Sequence, residues 1–242
     1  MIMEADISQV KSQLLRELWG PYGNKIGEIN ARTKRKNKEL DVLTLTSDFN
    51  YEEIEYLVNS RISKYEKIVA WTNNSTKKMR LEPYVKVRIL NQAKFEDINL
   101  GRHRVGKLFP FDIINLDYLS QDDWDSNSKL LKVVGSFNEI LKSQKNNSHP
   151  NFAIFLTVPL TEEPIRKSDA CGKVLPVSFK EEYSSYPNEV VGEEMKARFL
   201  ENLFLSLLRE NGLEASKEEL KIVQTPLKTF SIAIITRVRT DA

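Results

Sequence analysis

Five short runs rich in β-branched and apolar residues recur between residues 40 and 158. They are residues 40–46 (LDVLTLT), 67–72 (KIVAWT), 84–90 (YVKVRIL), 111–116 (FDIINL) and 151–158 (NFAIFLTV). Only the third alternates clearly, and the near-continuous apolar pattern is that of strands buried on both faces of a parallel sheet. Helical segments fall between them. After the first run, Asn50-Tyr51-Glu52-Glu53 reads as a capping box, with Asn50 as cap and Glu53 reaching back. It opens a helix with Ile54, Leu57 and Val58 inward. Residues 128–143 carry Leu130, Leu131, Val134, Phe137 and Leu141 at helical spacing.

The two ends depart from this alternation. Residues 7–19 form an amphipathic helix with Val10, Leu14, Leu15 and Leu18 on one face, and Gly20-Pro21-Tyr22-Gly23 is expected to end it in a turn. A second short helical segment, 25–30, leads into a basic run. Residues 160–191 show no period and are expected to form a long excursion over the strand ends. A strong helix follows over 192–211, with Met195, Phe199, Leu203 and Leu207 on one face. Two last strands, 220–224 and 230–238, are joined by Thr225-Pro226-Leu227-Lys228, too short for a crossover helix, so the pair must be antiparallel.

Five β-α units, a helix and an antiparallel hairpin together resemble the class I S-adenosylmethionine (SAM) methyltransferases. The resemblance implies an α/β, Rossmann-like, mostly parallel sheet with a C-terminal antiparallel hairpin and helices on both faces. Residues 1–39 are then an N-terminal helical extension, and 40–242 the methyltransferase-like domain. The most specific motif is Phe109-Pro110-Phe111-Asp112-Ile113-Ile114-Asn115-Leu116-Asp117-Tyr118, similar to the family's catalytic-edge strand. It implies Asp117, Asn115 and Tyr118 as catalytic residues, with Asn115 and Tyr118 orienting an amine or stacking on a flat ring. Asp112 marks the start of the strand. The bland alternative for Asp117 is a carboxylate bonded to backbone N–H groups or capping the helix near Ser126 to Ser128.

In open α/β sheets ligands bind beyond the carboxyl ends of the strands. There the cofactor contacts implied by the resemblance are Ser47, Asp48, Asn73 and Gln92, with SAM as the cofactor. Each departs from the family pattern. The turn Thr46-Ser47-Asp48-Phe49-Asn50 has no glycine to admit a cofactor against the backbone. Asn73 stands where an acid accepts from the ribose hydroxyls, and Gln92 where an acid holds the adenine amino group. Glu96 and Asp97 are alternatives. Three functions therefore stay open: a methyltransferase with an unusual cofactor site, acting on nucleic acid; a catalytically inactive domain serving as a binding or assembly subunit with a protein partner; or another nucleotide-binding enzyme on a doubly wound sheet.

Composition narrows the rest. A net charge of +2 gives no global nucleic-acid signature. A local one exists at Arg32, Lys34, Arg35, Lys36 and Lys38, read either as phosphate contacts or as a solvated linker. Arg102, His103, Arg104 and Lys107 form a second basic cluster before the fourth strand. One cysteine, Cys171, and two histidines, His103 and His149, argue against a disulfide or a Cys/His zinc site. Tyr183, Tyr186 and Trp124 are candidates for the pocket mouth. With a polar N-terminus and no long apolar run, the expectation is a cytoplasmic protein without membrane contact.

Overall fold

The computed structural model describes residues 9, 12–32, 39–45, 52–72, 88–91, 107–118, 126–146, 151–160, 164–167, 175–215, 220–225 and 229–238. A π-helical turn (Leu15–Trp19) leads into α1 (Gly20–Arg32). Then come β1 (Val42–Leu45), α2 (Glu52–Asn59), β2 (Ile68–Thr72), β3 (Arg88–Asn91), β4 (Ile113–Asp117), α3 (Ser126–Asn146) and β5 (Asn151–Pro159). The remainder is β6 (Ile165–Arg166), α4 (Val177–Ser185), β7 (Glu189–Val190), α5 (Glu193–Glu210), β8 (Leu213–Glu214), β9 (Leu220–Thr225) and β10 (Thr229–Val238).

Among the described residues the main sheet has eight strands in the order β3-β2-β1-β4-β5-β10-β8, with β9 also paired to β10. β1 to β5 are mutually parallel. β10 is reversed: it pairs antiparallel with β5 from Thr229↔Pro159 to Arg237↔Asn151. Its far edge is shared by β9 and β8. The hairpin strand is therefore inserted into the sheet, and its antiparallel pairing with β9 is what the short 225–228 connection requires.

Period-two alternation divides the core into two layers. Leu43, Val69, Ile114, Leu116, Ile154, Leu156, Ile232 and Ile234 face α3 and α5. Phe137 of α3 meets Phe204 of α5 edge-on, with ring centroids 5.0 Å apart. Val42, Ile68, Ala70, Ile113, Ala153, Phe155, Ala233 and Ile235 face the other way, under Leu14, Leu18, Trp19, Ile26, Ile54 and Leu57. Each such fully buried large side chain contributes about 1.5–3 kcal/mol. The N-terminal helices thus supply the cover of one sheet face.

Two polar clamps fix where β4 begins. Asp112 accepts from Asn30 Nδ2 at 2.7 Å and from the Asp41 backbone N–H at 2.9 Å, tying α1 and the approach to β1 to the start of β4. Gln144, fully buried in α3, accepts from the Phe111 N–H at 2.8 Å and donates to the Phe111 carbonyl at 2.7 Å.

The structure corrects two expectations about the ends. Gly20-Pro21-Tyr22-Gly23 does not stop the helix; it is the first turn of α1. Pro21 sits where a missing N–H is tolerated, and the Gly20 N–H bonds back to the Leu15 carbonyl across the wider π turn. The glycines serve packing: a methyl at Gly20 would collide with the Tyr56 hydroxyl, and one at Gly23 would press on Ile62. In the stretch without a period, β6 and β7 form a small antiparallel pair and α4 packs on α5. Two-residue strands are too short to register as a pattern. No helix among the described residues is long and apolar enough to cross a membrane.

Candidate active site

The face under the N-terminal helices changes character along the strands. Its first cross-strand row is Val42, Ile113, Ala153 and Ile235, all apolar. The next row is Thr44, Asn115, Phe155 and Ala233. The third is Asp117, Thr157 and Ser231. Polarity therefore rises toward the carboxyl edge of the parallel strands, where ligands of open α/β sheets bind. Thr157 and Ser231 are joined by a 3.1 Å hydroxyl bond.

Asn115 is 4% exposed, and its amide nitrogen donates to Thr44 Oγ1 at 3.0 Å and to Glu53 Oε2 at 3.1 Å. The Thr44 hydroxyl in turn donates to the same Glu53 oxygen at 3.1 Å. Glu53 is buried in the first turn of α2, which brings it over β1. Its carboxylate is turned inward onto the sheet; Asn50, its expected capping partner, lies outside the described residues. The Asn115 carbonyl oxygen is buried with no hydrogen-bond partner among the described residues. The indole N–H of Trp19, packed 6.1 Å from the Phe155 ring, is in the same condition.

Asp117 lies two residues beyond Asn115 on the same face and is 4% exposed. A carboxylate at that depth is costly unless it receives hydrogen bonds or faces a ligand. The structure thus brings Asn115 and Asp117 together, but it separates Tyr118 from them. Tyr118 falls on the opposite face, fully buried with α3, its hydroxyl 3.5 Å from Ser136 Oγ. Strand alternation makes this unavoidable for neighbours in sequence, so Tyr118 is a core residue rather than part of the constellation.

Tyr183 and Tyr186 pack against that same opposite-face core, around Phe179 and Phe199. Tyr186 accepts from Asn202 Nδ2 at 3.1 Å, and burial holds its hydroxyl above the usual phenol range. Ser47, Asp48, Asn73, Gln92, Glu96, Asp97, Trp124, Cys171, His103, Arg102 and Arg104 lie outside the described residues. Of the basic run, Arg32 is exposed at the end of α1, and Lys34, Arg35, Lys36 and Lys38 lie outside the described residues. No cluster of three or more His, Cys, Asp or Glu side chains that could hold a metal occurs among the described residues.

Sequence reasoning missed Glu53 as a site residue, and it missed Thr44, Thr157 and Ser231. Their signal was a hydroxyl interrupting an apolar strand, in LTL, LTV and FSI. It becomes legible only when the register aligns the three.

No protein-family model and no curated protein matches the sequence. Solved structures do overlay. Trm1 from Pyrococcus horikoshii, in complex with S-adenosyl-L-methionine, gives a TM-score of 0.49 at 12% identity, over 94% of this chain and 56% of that one. Human N-acetylserotonin methyltransferase, in complex with SAM, gives 0.46 at 11% identity, over 98% of this chain and 55% of that one. An O-methyltransferase family protein from Burkholderia thailandensis gives 0.41 at 9% identity, over 98% and 60%. The chain thus spans little more than half the length of these three. What decides the architecture is the strand order, five parallel strands with the reversed strand β10 inserted between β5 and the β8/β9 edge. The fold is class I methyltransferase-like. Asn115 and Asp117 lie toward the carboxyl edge of the parallel strands, the edge at which open α/β sheets in general bind ligands. The described residues there fit a ligand that donates hydrogen bonds, because Asn115 offers an unfilled acceptor and Asp117 a carboxylate.

Proposed function

We propose that this chain is a SAM-dependent methyltransferase with an unusual cofactor site, acting on a nitrogen nucleophile carried by nucleic acid. The observation that carries this reading is the buried polar row at the carboxyl edge, ending on Asp117. A carboxylate at that depth is costly unless something offsets the cost, and a protonated nucleophile at the carboxyl edge would do so. SAM, when bound, supplies a methyl group on a sulfonium centre. The chain's own share is to orient the nucleophile with the Asn115 carbonyl and to take its proton at the Asp117 carboxylate. Ser47, Asp48, Asn73 and Gln92 form the cofactor side of this reading. Arg32, Lys34, Arg35, Lys36 and Lys38, which precede β1 in the sequence, are the nucleic-acid contacts of this reading. They would grip phosphates.

One observation favours a second reading, a catalytically inactive domain that binds or assembles with a protein partner: residues 46–50 contain no glycine, and neither Asn73 nor Gln92 is acidic. The test that separates them compares wild type with Asp117→Asn. The enzyme reading predicts SAM affinity unchanged within about twofold and methyl transfer from labelled SAM to RNA or DNA lowered about 100-fold, the scale of a lost general base. SAM binding by both proteins with no transfer by wild type would support the assembly subunit.

A further inference from the structure

The hydrogen-bond arithmetic at Asn115 assigns a role to a residue outside the catalytic set. An ionised carboxylate can only accept, and an asparagine amide nitrogen has two protons. Here the amide nitrogen donates to both Thr44 Oγ1 and Glu53 Oε2, while the Thr44 hydroxyl proton also goes to Glu53. Rotating the amide by half a turn would set its carbonyl against the carboxylate. The Glu53–Thr44 pair therefore fixes one of two otherwise similar orientations. In that orientation the carbonyl oxygen is turned away from the pair, buried and without a partner among the described residues. A buried acceptor left unfilled costs about 1–3 kcal/mol, so a site that maintains one needs a reason.

We propose that Glu53, with Thr44, is the positioning residue that makes Asn115 an obligate hydrogen-bond acceptor, so that the site takes a ligand presenting an N–H and rejects one without it. This rests on the methyltransferase reading for its biological meaning, but not for its geometry. Glu53 does not touch the ligand; it acts through the Asn115 amide. Sites built to bond a donor reject analogues that lack it because the buried acceptor is then left empty.

The experiment follows the side-chain amide resonances of Asn115 in the full chain by nitrogen-proton NMR. Wild type, Glu53→Gln, Glu53→Leu and Thr44→Val are compared, with methylammonium chloride as a minimal N–H donor and tetramethylammonium chloride as its control. In wild type both amide protons should be protected from exchange, and methylammonium should shift the resonances while tetramethylammonium does not. Glu53→Gln retains an acceptor oxygen and should keep both properties. Glu53→Leu should exchange its amide protons about tenfold faster and lose the methylammonium response. Should that variant not fold, Thr44→Val decides: amide exchange should quicken and the methylammonium response weaken, and no change in either would overturn the proposal. Unprotected amide protons in wild type, no shift with methylammonium, or an unchanged response in Glu53→Leu would each overturn the proposal. SAM is titrated into the same samples: a methylammonium response without SAM binding sinks the methyltransferase reading and leaves the positioning role standing, and SAM binding without the response does the reverse.

Discussion

At the scale of single residues, hydrogen bonding shows which buried polar side chains hold the fold. Asp112 and Asp117 bracket the same strand and are about equally buried. Asp112 is bonded to Asn30 and to the Asp41 backbone, which makes it a structural clamp. Gln144 is a second clamp, and it gives a direct prediction. Gln144→Ala leaves the Phe111 N–H and carbonyl buried without their bonds, so stability should fall by about 2–4 kcal/mol, measured as a drop in the urea midpoint at constant slope. The proposed cofactor roles of Asn73 and Gln92 predict that Asn73→Ala and Gln92→Ala each weaken SAM binding by about 1 kcal/mol, the worth of one neutral hydrogen bond. Calorimetry of the two variants against wild type checks this, and unchanged affinity in both would remove them from the cofactor site. The place of Asp117 at the carboxyl end of β4 was legible in the sequence because a carboxylate ends an apolar strand. Glu53 was not, because its position after Asn50 fitted a capping box equally well, and only the chain's return over β1 shows where its carboxylate goes.

At the scale of elements, the strands and long helices were readable because burial on one or two faces leaves a period in the sequence. Helix 192–211 became α5 between a Gly192 at φ 78° and the C-cap Asn211. The misreading fell at Gly20-Pro21-Tyr22-Gly23, where local turn chemistry competes with packing and loses. Glycine is needed there for close approach to Tyr56 rather than for a turn. Gly20→Ala should therefore destabilise by about 1–3 kcal/mol through overpacking, despite the better helix propensity of alanine. Gly135 is the internal control. It lies exposed in the middle of α3, and a methyl added there would meet nothing within 4 Å, so Gly135→Ala should stabilise by about 0.5–1 kcal/mol. Thermal unfolding of the two variants should move in opposite directions; a shift of the same sign in both would contradict the packing role of Gly20.

At the scale of the molecule, β10 closes the sheet between β5 and the β8/β9 edge, and the two helical layers meet only through it and its parallel neighbours. The most protected amides in native-state hydrogen exchange should lie in β4, β5 and β10, with Ile154, Leu156, Ile232 and Ile234 exchanging only through global unfolding. The antiparallel pairing of the last two strands was legible because so short a connection forbids a crossover, and the place of the hairpin in the sheet followed from the resemblance. The way the N-terminal helices cover the ligand-edge face was not, because nothing in an amphipathic helix names the surface it will cover. If this fold still uses its ligand edge to bind SAM, calorimetric titration of the wild-type chain with SAM and with S-adenosylhomocysteine shows it directly. Saturable heat with one site per chain is expected for both ligands, and no measurable heat with either at millimolar concentration would contradict a working cofactor site.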